Sequence, residues 1–278
     1  MILRASPAKV NLQLRVLRRR EDGYHDILSL MVRISLCDEM TFTPQAEGIV
    51  LRCPDSGLPE GEGNIAYRAA AAFYARTGRR PGVEITIRKR IPVAAGLGGG
   101  SSNAATTLMT LNEIAGSPLT REELMEMGAD LGADVPFFMF GTAAWATGIG
   151  DRLSEAPPLP ALRFVLINPG FPVSTKMVYD ELNLGLTNGS NNYSIPRFCT
   201  VDDVIGGLTN DLEKVTLRHH PVLGHLKTLL LENGARGALM SGSGPTVFGI
   251  FADEESALLA ENNLRHRNRW SVFGAHSL

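Results

Sequence analysis

Val10, Leu12, Leu14 and Val16 alternate with Asn11, Gln13 and Arg15, which is the two-residue period of a half-buried strand. Asp22-Gly23 follows as a turn signal. Val83, Ile85 and Ile87, separated by Glu84 and Thr86 and followed by Arg88, predict a second strand. Between the two, Asn64 is placed to cap a helix that runs through an Ala-rich stretch to Arg76, with Gly78 to stop it. Ser101 or Ser102 can cap a next helix that carries Ala104, Ala105, Leu108 and Leu111 inward and ends at Gly116. Thr120-Arg121-Glu122-Glu123 is a capping box for a third helix, ending near Gly132.

The second half changes character. Glu155-Ala156-Pro157-Pro158-Leu159-Pro160 is the most Pro-rich stretch and the best linker candidate, which divides the chain into domains 1–156 and 157–278. Beyond it, Phe164 to Ile167 reads as a buried strand. Helical patterns follow near 175–184, 201–205, 211–218 and 222–233, strands at 238–240 and 246–251, then a helix after Asp253 and a last strand near Val272. Asn188 to Asn192 is a loop-like tract. The fold class is α+β in two parts.

Composition narrows the partners. The chain has 278 residues, 44% hydrophobic and 20% charged, which is ordinary globular composition. Lys and Arg number 27 against 29 Asp and Glu, a net charge of −2. A binder of nucleic acid would carry a basic excess or stripe, so no nucleic acid is expected. Arg18-Arg19-Arg20, Arg79-Arg80 and 265–269 read as solvated turns and a solvated helix end. Cys37, Cys53 and Cys199 are an odd, widely spaced set, which argues against a disulfide framework or a zinc site and suits a reducing cytoplasm. The N-terminus lacks the apolar stretch of a signal peptide. The most apolar segment, Val135 to Ile149, is broken by Pro136, Gly141 and Gly148 and is too short to span a bilayer. It reads as buried core, and no membrane partner is expected.

Pro92-Val93-Ala94-Ala95-Gly96-Leu97-Gly98-Gly99-Gly100-Ser101-Ser102 lies between a predicted strand and a predicted helix. Glycines let the backbone approach an anion and turn successive N–H groups inward. The helix start adds unpaired N–H groups and the positive end of its dipole. No Lys lies inside the loop, which excludes the P-loop pattern, and Ser101 stands where the dinucleotide fingerprint needs its third Gly. The loop therefore reads as a phosphate holder of another kind, or in the bland alternative as a tight turn.

Two further segments are weak alone. Lys9 and Asn11 open the first strand, and Asp134 precedes an apolar run in Gly132-Ala133-Asp134-Val135-Pro136. A solvated Lys and a helix-capping Asp are the plain readings. Together they permit phosphoryl transfer, which needs positioning and charge stabilisation more than covalent chemistry. An Asp can orient or deprotonate an acceptor hydroxyl, while a Lys keeps it ionised and stabilises the transferring group. Ser241-Gly242-Ser243-Gly244 is a second Gly/Ser loop between strands. Alone it is a hairpin turn; paired with the first loop it can close over phosphates.

Pro7-Ala8-Lys9-Val10-Asn11-Leu12, Gly96 through Ser102, and Ser241-Gly242-Ser243-Gly244, in this order, resemble the three motifs of the GHMP kinase superfamily. Arg20-Glu21-Asp22-Gly23-Tyr24-His25, Gly132 through Pro136, Asn168-Pro169-Gly170, Ser174-Thr175 with Tyr179, and Asn210-Asp211-Leu212-Glu213 resemble those members that act on a cytidine-linked methylerythritol. The resemblance covers essentially the whole chain. It implies an N-terminal domain like the second domain of ribosomal protein S5 and a ferredoxin-like C-terminal domain. It also implies a kinase that uses ATP with Mg2+ to phosphorylate the acceptor's 2-hydroxyl in the non-mevalonate isoprenoid pathway.

By the same resemblance Asp134 is the base and Lys9 its charge partner, with residues 92–102, Gly242, Ser243 and Gly244 around the nucleotide. Asn11, Tyr24, His25, Thr175 and Tyr179 would face the substrate. Two aromatic faces can clamp a flat base, and an imidazole beside them offers a hydrogen bond. Asn103 stands where many members have Asp, so no metal ligand is assigned, and Ser102 is the first to test. The implied partners are a small-molecule substrate only, with the chain a monomer or weak homodimer. Kinases of homoserine or mevalonate type, and a non-catalytic nucleotide-binding protein, stand as the alternatives.

Overall fold

The computed structural model describes residues 1–182, 198–267 and 270–278. The Asn188 to Asn192 tract lies outside them. The chain divides into two compact units, one of Met1–Ala8, Cys37–Val93 and Gly98–Gly141, the other of Lys9–Leu36, Ala94–Leu97 and Thr142–Leu278.

The elements of the first unit are built on β1 (Ile2–Arg19) and β2 (His25–Pro44), each of which gives one end to each unit. They continue through β3 (Gly48–Arg52), α1 (Ile65–Thr77), β4 (Gly82–Arg88), α2 (Gly99–Ile114), α3 (Arg121–Leu131) and the single turn α4 (Phe137–Phe140). Its strands run in the order β3-β4-β2-β1, with β3 parallel to β4 and β4 antiparallel to β2. Val83, Ile85 and Ile87 of β4 are buried, as their alternation requires. Asn64 caps α1 by accepting from the Ala66 N–H at 3.0 Å, and Gly78 ends it in the left-handed region at φ 64°. The Thr120–Glu123 capping box opens α3 as read from sequence. Helices α1 and α2 pack on each other, and Ala104, Ala105, Leu108 and Leu111 of the second are buried.

Three expectations change here. Neither Ser101 nor Ser102 caps α2: Gly98 does, at φ 68°, and both serines sit inside the helix. Strand β1 is not half-buried in its middle, because Asn11 and Gln13 are buried along with the apolar positions. The twenty-residue β2 was not anticipated. Its start, Ile27 through Val32, is covered on both faces and so reads as a continuous run without period.

The second unit adds β5 (Ala143–Thr147), β6 (Arg152–Glu155), β7 (Arg163–Asn168), α5 (Thr175–Asp180), α6 (Val201–Gly207), β8 (Thr209–Asn210), α7 (Glu213–His219), α8 (Val222–Glu232), β9 (Gly237–Met240), β10 (Val247–Phe251), α9 (Glu254–Arg267) and β11 (Ser271–His276). Strand β5 pairs with the first part of β2 and with β6, and β8 pairs in parallel with β1 at Gln13 and Leu14. A separate antiparallel sheet runs β11-β7-β10-β9, and α8 and α9 pack on it. Val165, Ile167, Leu226, Leu230, Val247 and Phe251 belong to that core. The Pro-rich run expected as a linker lies between β6 and β7, inside this unit.

One buried charge organises the first unit. Asp38 is 0% exposed in β2. Its carboxylate pairs with Lys89 and accepts from the Arg90 and Ile91 N–H groups at 2.8 and 2.9 Å and from Asn103 Nδ2 at 3.0 Å. Asn103 also donates to Ser6 Oγ, which donates to Ser102 Oγ. The start of α2 is thereby tied to β1, β2 and the segment leaving β4. Removing one partner of a buried ion pair leaves the other uncompensated. Lys89→Met should therefore lower unfolding free energy by about 3–5 kcal/mol, measured by urea denaturation, and a loss under about 1 kcal/mol would deny Asp38 this role.

Candidate active site

The glycine loop is built as its sequence asks. Gly96 and Gly98 hold φ of 76° and 68°, a region closed to most side chains. By helix geometry the N–H groups of Gly99, Gly100 and Ser101 precede the first i→i−4 bond, which is Ser102 N–H to Gly98 O at 2.9 Å. Three donors and a helix dipole therefore face outward from the start of a sixteen-residue helix. Ser102 is 0% exposed and its hydroxyl accepts from Ser6 at 2.8 Å. Asn103 is buried in the Asp38 network. Both side chains are buried and bonded to neighbours in the first unit.

In the second unit Ala94–Leu97 packs on the second Gly/Ser loop. A Cβ on Gly96 would lie 2.2 Å from Ser241 O, so only glycine fits. Ser241 Oγ donates to Gly96 O at 2.9 Å and accepts from the Asn11 N–H at 3.4 Å. Asn210 Nδ2 holds the loop from behind through Met240 O and Gly242 O at 2.7 and 2.8 Å. Ser241 was named in the sequence only within the second loop, with no role of its own. Its signal was only its place in the Gly/Ser run.

Lys9 is 4% exposed. Its N–H donates to Leu97 O at 2.9 Å, and its Nζ donates to Asn11 Oδ1 at 2.7 Å. Asn11 in turn donates through Nδ2 to Ser29 Oγ, which donates to Gln13 O. The amide orientation is thus fixed, with its oxygen toward the ammonium. Ser29 was not foreseen; a lone Ser between Leu28 and Leu30 was the available sign. Asp134 lies in the first unit, on the turn between α3 and α4, and is partly exposed.

Tyr24, His25, Thr175 and Tyr179 come together around one cavity of about 730 Å³ in the second unit, and Asn11 does not line it. The His25 and Tyr179 rings stack with centroids 5.1 Å apart and 29° between planes. Tyr24 stands at the wall 61% exposed, whereas His25 is 7% exposed. Thr175 Oγ1 and Ser243 Oγ lie 2.8 Å apart, which joins this cavity to the second Gly/Ser loop. Arg19, Lys176 and Asp180 also line it and were missed. Burial, and secondarily the Arg19 charge, hold His25 below the usual imidazole value against the opposing pull of Asp180.

Among the described residues no three His, Cys, Asp or Glu side chains gather into a metal-holding group. The loop and helix start nonetheless suit a nucleotide's phosphates, since backbone N–H groups and a dipole are what they present. No helix of the described chain is long and apolar enough to cross a membrane.

Residues 64–142 match the GHMP kinases N terminal domain and 201–269 the GHMP kinases C terminal family. The 4-diphosphocytidyl-2-C-methyl-D-erythritol kinase of Syntrophus aciditrophicus is 58% identical over 98% of both chains. That of Syntrophotalea carbinolica is 53% identical over 96% of both. A crystal structure of 4-(cytidine 5'-diphospho)-2C-methyl-D-erythritol kinase superposes with TM-score 0.83 at 35% identity, covering both chains fully. Similarity of this extent reaches every motif that builds the loops and the cavity, and the chain belongs to the 4-diphosphocytidyl-2-C-methyl-D-erythritol kinase family of the GHMP kinases.

Proposed function

We propose that this kinase transfers the γ-phosphoryl of ATP to the 2-hydroxyl of 4-diphosphocytidyl-2-C-methyl-D-erythritol, giving the 2-phosphate and ADP in the non-mevalonate isoprenoid pathway. The carrying observation is the cavity in which Tyr24 stands beside the stacked His25–Tyr179 pair. Homoserine and mevalonate have no ring to stack there, and a pure nucleotide binder has no use for a second, aromatic-lined pocket tied to a phosphate loop.

ATP supplies the phosphoryl group, and Mg2+ bound with it neutralises charge on the phosphates. Residues 92–102 with Gly242, Ser243 and Gly244 hold the nucleotide, chiefly through backbone N–H groups. Asp134 orients the acceptor hydroxyl and takes its proton. Lys9, desolvated and kept in place by Asn11, offsets developing negative charge. Tyr24 and Tyr179 flank the cytosine, and neutral His25 hydrogen-bonds it. The two family matches, 64–142 and 201–269, leave a division near residue 156 within the span between them. Three free thiols suit the reducing cytoplasm as its compartment.

A coupled ADP-release assay with the cytidyl substrate beside mevalonate and homoserine tests the proposal, and preference for either of the latter would sink it. In that assay Tyr24→Ala should raise KM for the cytidyl substrate with kcat nearly kept; equal KM values would remove Tyr24 from the base site. Asp134→Asn should lose roughly two or more decades of kcat while ATP binding, followed by calorimetry, stays intact. Unchanged turnover would refute its role as base. The pH dependence has a definite sign. Because the folded protein holds His25 below its ordinary 6.5, the neutral form and the stability it confers are fully present above that value. Both are lost as pH falls through the lowered value. Acceptor kcat/KM should be flat from neutrality upward as far as His25 governs it and fall on the acid side, and His25→Gln should flatten that acid limb.

A further inference from the structure

The Arg18-Arg19-Arg20 run, read from sequence as a solvated turn, is divided between two cavities where β1 ends at Arg19. Arg19 lines the acceptor cavity with Tyr24 and His25. Arg18 and Arg20 line a different cavity, of about 640 Å³, together with Asp22 and Asp26. Asp22 lines both cavities, so the hairpin tip between β1 and β2 has an acceptor face and a charged back that meet at Asp22.

The back is a continuous chain of ion pairs. Arg18 Nε meets Asp26 Oδ2 at 2.5 Å, Arg20 Nη1 lies 3.6 Å from Asp26 Oδ1, and Arg20 Nη2 lies 2.8 Å from Asp22 Oδ2. Asp22 does not stop there, since its Oδ1 accepts the Tyr24 N–H at 3.1 Å. The backbone closes the same turn, with Arg20 N–H to Tyr24 O at 2.7 Å and Gly23 N–H to Arg20 O at 3.2 Å. Four charged side chains thus end on the peptide that carries the exposed Tyr24 ring. Asp26 is the least exposed of them, with its side chain at 19%.

We propose that the chain Arg18–Asp26–Arg20–Asp22 is a positioning element of the acceptor site, holding the hairpin tip so that Tyr24 stands ready against the cytosine. This rests on the acceptor reading given above. Isolated surface pairs contribute little to stability. The effect of this chain falls instead on acceptor affinity, because a tip ordered in advance loses less freedom when the base stacks on it. Arg18, Asp26 and Arg20 lie outside the acceptor cavity and act through Asp22, which lines it, and through Tyr24.

Steady-state kinetics on the full chain test it. Arg20→Met should raise acceptor KM about five- to tenfold, the coupling expected of groups in one network, with kcat and the KM for ATP unchanged and Arg20→Lys recovering most of the loss. In a Tyr24→Ala background the same substitution should add no more than about twofold, as groups acting through one residue do. Asp26→Asn cuts the chain at its centre with little change of shape and serves as the second variant should Arg20→Met fold poorly. Unchanged acceptor KM in both variants, while Tyr24→Ala alone raises it, would overturn the positioning role and leave the acceptor reading standing. So would an effect of Arg20→Met that adds fully to that of Tyr24→Ala. An acceptor KM untouched by Tyr24→Ala itself would remove Tyr24 from the base site and overturn this proposal with it.

Discussion

The second unit's share of the site depends on a place where no side chain fits. Gly96 meets residues 241–244 so closely that a Cβ would collide with Ser241 O. That contact lets one buried hydroxyl, Ser241 Oγ, serve both loops by donating to Gly96 O and accepting from Asn11 N–H. Asn11 then fixes the Lys9 ammonium through its amide oxygen. Lys9, the glycine loop and the second Gly/Ser loop are consequently placed by one hydrogen-bonded cluster. A methyl group at position 96 would push all three apart.

The glycine loop also stores strain beside that contact. Ala94 is exposed at φ 51°, a left-handed conformation that costs an L-residue about 1–2 kcal/mol. Such a residue persists only where its surroundings leave no choice. Here buried Ala95 and wedged Gly96 follow it at once. The first unit uses the opposite device, a fully bonded buried carboxylate: Asp38 gathers Lys89, two backbone N–H groups and Asn103 behind the start of α2. The outer donors of that helix are thus backed by an immobile polar core.

Much of this was legible in the chain. Asn64, Gly78 and the Thr120–Glu123 box marked helix ends because each meets a local need of the backbone, and β4 declared itself by strict alternation. Strand β2 stayed hidden for two physical reasons. Its first part is buried on both faces, which erases the period. In its second part Ile34, Leu36, Met40 and Phe42 do alternate, but Asp38 occupies the inward position between them. A buried charge whose partners lie far along the chain looks, in sequence, like a surface residue. The cavity's Tyr24, His25, Thr175 and Tyr179 were found through motif resemblance. Arg19 and Lys176 were not, since nothing local separates a pocket-lining cation from a solvated one. Ser101 and Ser102 misled because serine so often caps, whereas Gly98 takes that position through its conformation alone.

The division of Arg18-Arg19-Arg20 between two cavities bears on how this hairpin can vary in length. A strand turns each successive side chain to the opposite face, so a one-residue insertion ahead of Arg18 would exchange the faces of Arg18 and Arg19 at the end of β1. Arg18 would take the place of Arg19 against the acceptor, and Arg19 would leave that cavity. The strand end is therefore fixed in parity as well as in composition. Residues can be gained there only in pairs, or beyond Arg20 in the turn itself.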